Sequence, residues 1–345
     1  MRVWHSLYSE IITLEGVFKA WEEFSRGKKG KFDVTLFERN LEDNLFVLYE
    51  SLINKTYKHG GYKAFYIRDP KIRHIHKACV QDRIVHHLTS KVLEKIFEPT
   101  FYNHSYSCRK GKGTHKAIST FIKLTRKASK NNTSPLYVLK CDIKKFFASV
   151  DHEVLLEILN KSIKDGDFIW LLDEIITSFK TEGVAKGMPI GNLTSQLFAN
   201  IYMNPLDQYM KHKLKIKYYI RYADDFVILS RDKRYLENLI PIVKTFLEDE
   251  LKLTLHPNKT EINNYYLGID FLGYVIFPNF VVPRTKTKRR MFRKIYKQIA
   301  VYRRGQQTYE SLSQTIQSYL GYLSHANAYH LSQDLKNQIL FQLTN

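Results

Sequence analysis

Two adjacent acids interrupt an apolar stretch of the sequence, YIRYADDFVILS at residues 219–230. Asp224 and Asp225 stand between two runs of strand-forming residues, so the stretch predicts a β-hairpin with both acids at its tip. A solvent-exposed turn explains them as well, because Asp is an ordinary turn residue. The apolar flanks favour buried central strands, which would place the tip near one end of a sheet.

A third acid, Asp142, ends the apolar run LYVLKCD at residues 136–142. Two strands that end in acids at the same edge of a sheet could hold two Mg²⁺ ions roughly 3.5–4 Å apart, with Mn²⁺ as a substitute. Such ions clamp the attacking and leaving oxygens of an in-line phosphoryl transfer, and Asp supplies the hard oxygen ligands that Mg²⁺ prefers. The acids therefore predict metal-assisted phosphoryl transfer. A helix cap after a strand is the alternative for Asp142 alone.

The overall composition agrees with chemistry on a polyanion. The chain has 345 residues, 44% of them hydrophobic, and a formal net charge of +20. This predicts a folded protein with a nucleic-acid partner, ahead of an anionic membrane, although a merely basic enzyme would carry such a charge too. No stretch approaches the ~20 apolar residues of a membrane span, and residues 1–16 do not resemble a secretory signal. The cysteines are too widely spaced for a disulfide framework or a C-x-x-C metal site and suit a reducing cytoplasm: Cys79, Cys108 and Cys141.

The elements that must position these acids are predicted from apolar spacing and from helix breakers. Residues 1–55 are predicted to be mainly helical, because leucines recur near helical spacing over 41–52. Residues 62–76 predict a β-hairpin with basic residues on one face. A helix is predicted from Asp82, as its first residue, to the breaker Pro99.

Beyond Asp142 the pattern alternates between helices and short strands. Asp151 is predicted to cap a helix, and the glycine loop GMPIGN leads into a long one. A further helix is predicted around Pro241, followed by short strands. From Arg284 the chain is strongly basic, with one apolar stripe on a helix: Phe292, Ile295, Ile299 and Tyr302. The pattern divides the chain into a helical N-terminal extension (1–55), a central region (56–283) and a basic helical C-terminal region (284–345).

The motifs occur in an order that resembles the palm of reverse transcriptases: Asp142, then GMPIGNLTSQ, YADD, HPNKT and FLGY. YADD alone is a weak string, whereas the ordered set over roughly residues 60–280, with a thumb-like tail, is specific. The resemblance implies an α+β right-hand polymerase with fingers, a palm built on an antiparallel sheet, and a helical thumb. It also implies an RNA-directed DNA polymerase that binds template RNA, an RNA/DNA duplex and dNTPs.

The middle loop, GMPIGN at residues 187–192, and the start of the helix after it indicate which group of reverse transcriptases the sequence resembles. Most intron-type reverse transcriptases have Gln before its glycine and Pro after its serine, where this sequence has Ile190 and Gln196. Together with YSCRKGKGTH at 106–115 and SYLGYLSHANAYH at 318–330, this is similar to reverse transcriptases of diversity-generating retroelements. The similarity implies errors opposite template adenines and a basic, multimeric accessory protein as partner. A defence-associated enzyme that uses its own noncoding RNA, a solitary intron-derived enzyme and a catalytically silent RNA-binding scaffold are the alternatives.

The same resemblance assigns the metal site. Asp142 and Asp224 are implied to be the metal-binding carboxylates, with Asp225 as a supporting acid. The main-chain carbonyl of Ile143 is implied to complete a metal shell. Lys259 matches the residue proposed as general acid for pyrophosphate, and a surface lysine on a turn is its alternative.

The implied dNTP pocket is spread over three segments. Lys71 and Arg73 match the fingers hairpin that grips the triphosphate, where Arg offers a planar fork for two oxygens. Phe147, five residues after Asp142, matches the steric gate against a ribose 2′-OH. Phe146 is disfavoured as the gate, because neighbouring strand positions face opposite ways. A solvated turn and core packing are the alternatives for these segments. The other pocket residues lie in the middle loop and the helix after it: Ile190, Gly191 and Gln196.

Nucleic-acid contacts are implied for two basic segments. Arg109 and Lys110 match a phosphate- or template-facing turn, and FLGY at 271–274 resembles the primer grip, although core packing explains FLGY equally well. The basic thumb helix would lie along duplex phosphates, which positions the duplex without reading its sequence and makes affinity fall with salt. The thumb residues assigned to this surface are all cationic: Lys286, Lys288, Arg289, Arg290, Arg293 and Lys297.

Overall fold

The structure is a computed structural model, and it describes residues 2–69 and 71–344, apart from the side chains of residues 343 and 344. The helices, in chain order, are α1 Leu7–Ile11, α2 Leu14–Ser25, α3 Phe32–Glu38, α4 Leu41–Ile53, α5 Val80–Phe97, α6 Thr114–Ala128, α7 Phe146–Ser149, α8 His152–Asn160, α9 Gly166–Thr177, α10 Leu193–Gln208, α11 Lys233–Leu251, α12 Thr285–Arg303, α13 Tyr309–Leu323 and α14 Tyr329–Thr344. The strands are β1 Tyr62–Ile67, β2 Arg73–Ala78, β3 Tyr137–Cys141, β4 Tyr219–Tyr222, β5 Asp225–Ser230, β6 Glu261–Asn264, β7 Ile269–Phe271, β8 Tyr274–Ile276 and β9 Val281–Pro283. None of the helices described is long and apolar enough to cross a lipid bilayer.

The central sheet has the strand order β4-β5-β3-β6, and all neighbouring strands are antiparallel. Cys141 at the end of β3 pairs with Phe226 of β5, so Asp142, one residue further, comes level with Asp225. β4 and β5 form a hairpin in which Tyr222 pairs with Asp225. The predicted convergence of two acid-bearing strands at one edge of a sheet is confirmed, and so is the α+β fold class.

Both faces of this sheet are buried, because side chains alternate along each strand and both sets are apolar. Leu139 and Ile228 belong to one hydrophobic cluster, together with side chains of α5, α8–α11 and the N-terminal helices. Val138 and Val227 belong to a second cluster, formed with α6 and the three-stranded sheet β7-β8-β9. Each such buried side chain contributes about 1.5–3 kcal/mol to folding. The acids at the sheet edge are therefore mounted on a rigid, doubly covered support.

A two-stranded hairpin and a helical unit complete the fold. β1 and β2 pair from Tyr62 with Ala78 to Ile67 with Arg73, which confirms the predicted basic hairpin. The helices α12–α14 share a hydrophobic cluster of their own. The predicted stripe on α12 is shifted, because the buried residues recur every fourth position: Met291, Ile295 and Ile299. Phe292 and Tyr302 lie at the edge of this cluster.

Local predictions had mixed outcomes. Asp151 caps α8 by accepting from two main-chain N–H groups, and Pro241 lies within α11, both as predicted. Asp82 does not start its helix, since α5 begins at Val80 and Asp82 is buried. Its carboxylate accepts a hydrogen bond from the hydroxyl of Tyr57 at 2.8 Å. The division of the chain at residues 55 and 283 remains a prediction.

Candidate active site

The β4–β5 hairpin turns through two residues, Ala223 and Asp224. Asp225 is the first residue of β5 and pairs with Tyr222, so the prediction that both acids lie at the tip, outside the strands, is wrong for Asp225. Ala223 has a positive φ of 55°, a conformation that costs a residue with a Cβ about 1 kcal/mol or more. The turn that carries Asp224 is therefore strained and must be held by its surroundings.

The three acids crowd one another. Burial raises the pKa of Asp225 to about 7, together with a hydrogen bond shared with Asp142 and the negative charge of Asp224. Burial and the charge of Asp142 also raise the pKa of Asp224. The positive charges of Lys259 and Lys71 oppose that second rise. Ionising the whole cluster therefore requires a cation close by.

Lys259 ends a single 3₁₀ turn, and its Nζ lies 2.9 Å from Oδ2 of Asp142. The turn is tied to the strand end, because the main-chain N–H of His256 donates to the carbonyl of Asp142 at 2.8 Å. The Lys259 side chain is 46% exposed and so can reach a bound ligand. The predicted general acid thus lies beside a predicted metal ligand, and its proton transfer remains a prediction.

The donor set suits a hard divalent cation. Carboxylate oxygens are the ligands that Mg²⁺ and Mn²⁺ prefer, and repulsion among the carboxylates favours binding of a cation. Among the residues described, no three His, Cys, Asp or Glu side chains stand ready around one ion, and Asp142 contacts Lys259 instead. Asp142 and Asp224 are the residues that fit the role of ligands, with Asp225 beside them and Ile143 buried next in the chain.

Phe147 does not lie in a strand. It is the second residue of the short helix α7, so strand alternation is the wrong reason to separate it from Phe146. The two rings nevertheless differ, since Phe146 is 2% exposed whereas Phe147 is half-buried at the edge of the core. The N–H of Met188 donates to the carbonyl of Phe147 at 2.6 Å, which ties α7 to the middle loop. Phe147 is thereby linked to the middle loop, and its role as a gate remains a prediction.

The middle loop is bonded to the second strand of the fingers hairpin. The N–H of His76 donates to the carbonyl of Ile190 at 3.0 Å. The side chain of Asn192 accepts from the N–H of Ala78 at 3.1 Å and donates to the carbonyl of His76 at 2.7 Å. Asn192 lies within the motif GMPIGNLTSQ but was assigned no role from the sequence, and its place before α10 would ordinarily predict a helix cap. Its amide is engaged by β2 and does not cap the helix.

Gly191 stands where the loop approaches the hairpin most closely. Its φ is 114°, and a Cβ at this position would come within 2.6 Å of Ile75. Glycine is therefore required here for both conformation and space. Gly191 and the exposed Gln196 line a groove of about 500 Å³ next to the hairpin. Ile190 precedes Gly191 in the chain but does not line this groove, and the dNTP pocket remains a prediction.

Lys71 and Arg73 are exposed on the fingers hairpin. Lys71 lies close enough to Asp224 for its charge to lower the pKa of that carboxyl. Arg73 begins β2, paired with Ile67. The hairpin therefore directs at least one predicted phosphate-binding cation towards the acids.

Arg109 does not fit its predicted contact with nucleic acid. Its side chain is 6% exposed and forms an ion pair with Glu98 at 2.8 Å. It also donates to two main-chain carbonyls, so its N–H groups are used inside the protein to fasten the turn. Lys110, in contrast, is exposed and remains on the surface.

The thumb helix α12 presents most of its predicted cations outward. Arg290 is half-buried and pairs with Asp69 at 3.3 Å, and Lys294, which was not among the predicted residues, pairs with the same acid at 2.9 Å. Asp69 lies in the loop between β1 and β2, so these ion pairs join that loop to α12. The remaining predicted thumb cations are exposed: Lys286, Lys288, Arg289, Arg293 and Lys297.

FLGY forms a tight turn between β7 and β8. The rings of Phe271 and Tyr274 are buried, as core packing would require. The hydroxyl of Tyr322 donates to the carbonyl of Gly273 at 2.6 Å, and the hydroxyl of Tyr274 donates to the carbonyl of Tyr322 at 2.9 Å. The turn is thereby attached to α13 of the thumb. A primer-gripping role remains a prediction.

Comparison with known proteins agrees with this geometry. A family model described as reverse transcriptase (RNA-dependent DNA polymerase) matches residues 58–276. Protein YkfC of Escherichia coli K12 is 27% identical over an alignment of 279 residues, and the match covers 70% of this chain and 73% of YkfC. The group II intron-encoded protein LtrA of Lactococcus lactis subsp. cremoris is 23% identical over 305 residues, covering 68% of this chain and 50% of LtrA.

A solved structure shows the same fold. Apo telomerase from Candida tropicalis, truncated from its C-terminal domain, matches with a TM-score of 0.50 at 14% sequence identity. The match covers 65% of this chain and 55% of the telomerase chain. The chain thus spans about half the length of LtrA and of that telomerase.

Proposed function

This chain belongs to the reverse transcriptase (RNA-dependent DNA polymerase) family, and we propose that it copies a retroelement template RNA into cDNA by two-metal phosphoryl transfer. The register that brings Asp142 level with Asp225, beside the turn of Asp224, is the observation that carries the proposal. Three carboxylates at one sheet edge suit a divalent cation and phosphoryl transfer better than they suit core packing. The substrates are template RNA, the RNA/DNA duplex and dNTPs.

The residues around the three acids have separate roles in the proposed reaction. Asp142 and Asp224 would hold the metal ions, and Asp225 would support them. When held there, the metal ions would make the primer 3′-hydroxyl more acidic and offset the charge of the triphosphate. Lys259 is placed to give a proton to departing pyrophosphate.

Selection of the nucleotide depends on groups around the acids. Lys71 and Arg73 bind the triphosphate as cations on the fingers hairpin. The half-buried ring of Phe147 would exclude a ribose 2′-OH by its bulk, and the hydrogen bond from Met188 to its main-chain carbonyl fixes it to the middle loop. These roles make the enzyme a DNA polymerase rather than an RNA polymerase.

We propose further that the template belongs to a diversity-generating retroelement and that copying is error-prone at adenines. Ile190 and Gln196 support this assignment, because they replace the usual Gln and Pro of intron-type enzymes. An apolar side chain at Ile190 removes a polar contact of ~1 kcal/mol near the base pair, and base discrimination depends on a few such contacts. A basic multimeric accessory protein and structured flanking RNA would be its partners, in the cytoplasm of a bacterial, archaeal or phage-infected cell.

An intron-derived or defence-associated reverse transcriptase is the second candidate. Similarity to LtrA, an intron-encoded protein, favours it. The neighbouring genes distinguish the candidates. A template repeat paired with a variable repeat supports the retroelement, whereas a phage-defence cassette or flanking intron RNA supports the alternative.

Primer extension on an RNA template with Mg²⁺ tests the proposed activity. We expect Asp224→Ala to lower the extension rate at least about 100-fold, because loss of a metal ligand removes several kcal/mol of transition-state stabilisation. Asp249→Ala, at an exposed acid on α11, is the matched control and should behave as wild type. If wild type and Asp224→Ala extend the primer equally, the polymerase proposal fails and the scaffold alternative stands.

A further inference from the structure

We infer that Arg221 is a positioning residue that holds the Asp224 turn in place from within the protein, an inference that rests on the proposed polymerase activity. Arg221 lies on β4, three residues before Asp224, and its side chain is 0% exposed. It is among the largest fully buried side chains of the described residues. A fully buried guanidinium is uncommon and requires a partner for its charge and its donors.

The helix α10 holds the guanidinium from one side. Nε and one terminal nitrogen of Arg221 donate to the two carboxylate oxygens of Asp207, at 2.8 and 2.6 Å. The other terminal nitrogen donates to the side-chain oxygen of Asn200 at 3.3 Å. Asp207 is 0% exposed and also accepts a hydrogen bond from the hydroxyl of Tyr219 at 2.8 Å. This bidentate arrangement fixes both the position and the plane of the guanidinium.

The same guanidinium reaches the turn on its other side. The terminal nitrogen that contacts Asn200 also donates to the carbonyl of Ala223 at 3.0 Å. Ala223 is the residue with the strained, positive φ, and its carbonyl belongs to the peptide that leads into Asp224. The hydrogen bond therefore orients that peptide and offsets the strain of the turn. The guanidinium of Arg221, held by α10, thereby sets the direction in which the side chain of Asp224 points from the turn.

The main chain of Arg221 is fastened as well. Its N–H donates to the carbonyl of His104 at 3.0 Å, and its carbonyl accepts from the N–H of Tyr106 at 3.0 Å. The segment around Ser105 thus lies along the outer edge of β4. Arg221 cannot shift along β4 without breaking these two hydrogen bonds, so they also restrain the turn that carries Asp224.

Stability alone is a weak explanation for this ion pair. Desolvation of two buried charges offsets most of their attraction, and apolar residues of similar volume often serve a core equally well. What an apolar residue could not provide is the hydrogen bond to Ala223. The polar network is therefore better explained by the geometry it imposes on the acids. The network also connects the Asp224 turn to α10, the helix into which the middle loop leads, so one helix supports both segments.

Arg221→Lys tests the inference. Lysine keeps the charge opposite Asp207, but its single ammonium lacks the fork that contacts Asp207 and Ala223 together. We expect a folded protein whose kcat for primer extension is lower by roughly 10- to 100-fold, with the KM for dNTP nearly unchanged, because a small misplacement of a reacting group is costly. Binding of Mn²⁺ to the free protein, measured by electron paramagnetic resonance, should weaken as well. Lys233→Arg is the control, because it is a conservative exchange of a cation in an exposed ion pair with Glu237 on α11, and it should match wild type.

The outcomes separate this inference from the proposed function. If Asp224→Ala is inactive while folded Arg221→Lys extends primers and binds Mn²⁺ as wild type does, the positioning role is overturned and the polymerase stands. If wild type does not extend primers, the proposed function fails, and the Mn²⁺ affinities still decide the role of Arg221. Should thermal unfolding show that Arg221→Lys does not fold, Tyr219→Phe removes one hydrogen bond to Asp207 at nearly constant volume. A fall of roughly two- to fivefold in kcat and Mn²⁺ affinity then supports the inference, and wild-type values overturn it.

Discussion

Asp225 lies where a carboxylate is costly to ionise. Burial, the hydrogen bond shared with Asp142 and the charge of Asp224 all favour its protonated form and raise its pKa to about 7. The cause is the strand register, which places Asp142 directly opposite Asp225 while the two-residue turn keeps Asp224 next to both. A proton relieves this repulsion, and so would the proposed metal ions, so at the scale of single residues the two would compete for the same carboxylates.

We expect the protein in EDTA to lose stability as pH rises from about 4 to about 7. The pKa of Asp225 is higher in the folded protein than in the unfolded chain, so its contribution is complete below about pH 4 and is lost as pH rises through about 7. Asp225→Asn should reduce this loss by about 1–2 kcal/mol, a figure discounted for partial exposure. Urea unfolding at several pH values measures the effect. Asp249→Asn is the exposed control, and equal pH profiles for Asp225→Asn and wild type would contradict the prediction.

At the scale of elements, the middle loop connects parts that the chain keeps far apart. Its main chain is bonded to α7 through Met188 and to β2 through Ile190, and Asn192 adds two more bonds to β2. Because main-chain groups and Asn192 make these connections, the side chain of Ile190 can change without moving the loop. The main chain of the loop is thus fixed, and the side chain of Ile190 determines whether the loop offers a polar or an apolar contact.

Ile190→Gln should lower the frequency of errors opposite template adenine. A glutamine amide restores a polar contact of ~1 kcal/mol near the base pair, which corresponds to roughly a fivefold change in discrimination. Sequencing of cDNA made on one RNA template measures the change base by base. Ile190→Val keeps an apolar side chain and should keep the wild-type spectrum. An unaltered spectrum for Ile190→Gln would remove the proposed link between this residue and adenine errors.

At the scale of the whole molecule, the loop between β1 and β2 contacts the C-terminal helix α12. Asp69 of the fingers loop pairs with Arg290 and Lys294 of α12, the helix that also carries the predicted duplex contacts. The pairs are partly exposed, so they contribute little to stability. Phosphates of a bound duplex would compete with Asp69 for the same two cations in a protein of net charge +20.

Asp69→Asn should strengthen binding of a primer–template duplex and steepen its dependence on salt. The substitution frees two cations for phosphate, and each new phosphate contact steepens the logarithmic salt slope by about one. Dissociation constants measured over a series of KCl concentrations give the slope. Asp43→Asn, at an exposed acid on α4, changes the net charge equally and serves as control. Identical slopes for the two variants would show that Asp69 does not restrain the thumb cations.

The elements that carry the chemistry were largely predictable from the sequence. The strands around Asp142 and Asp224, the basic hairpin and the cap at Asp151 follow from apolar spacing, charge and turn residues within a few positions of one another. The corrections arose where a side chain has partners distant in sequence. The sequence suggests that Arg109 contacts phosphate, but in the folded chain Arg109 pairs with Glu98. The sequence likewise suggests that Asp82 starts a helix, but its carboxylate accepts a hydrogen bond from Tyr57.

The sequence by itself determined the reaction class, because three acids in a recognisable order of motifs are local features of the chain. Only the tertiary structure decided how those acids are held. The register that sets Asp142 opposite Asp225 depends on two strands more than eighty residues apart in number. The locked guanidinium of Arg221 depends on Asp207 and Asn200 of another element. A buried charge is permitted only where its partners converge, and convergence is a property of the folded chain that no local pattern encodes.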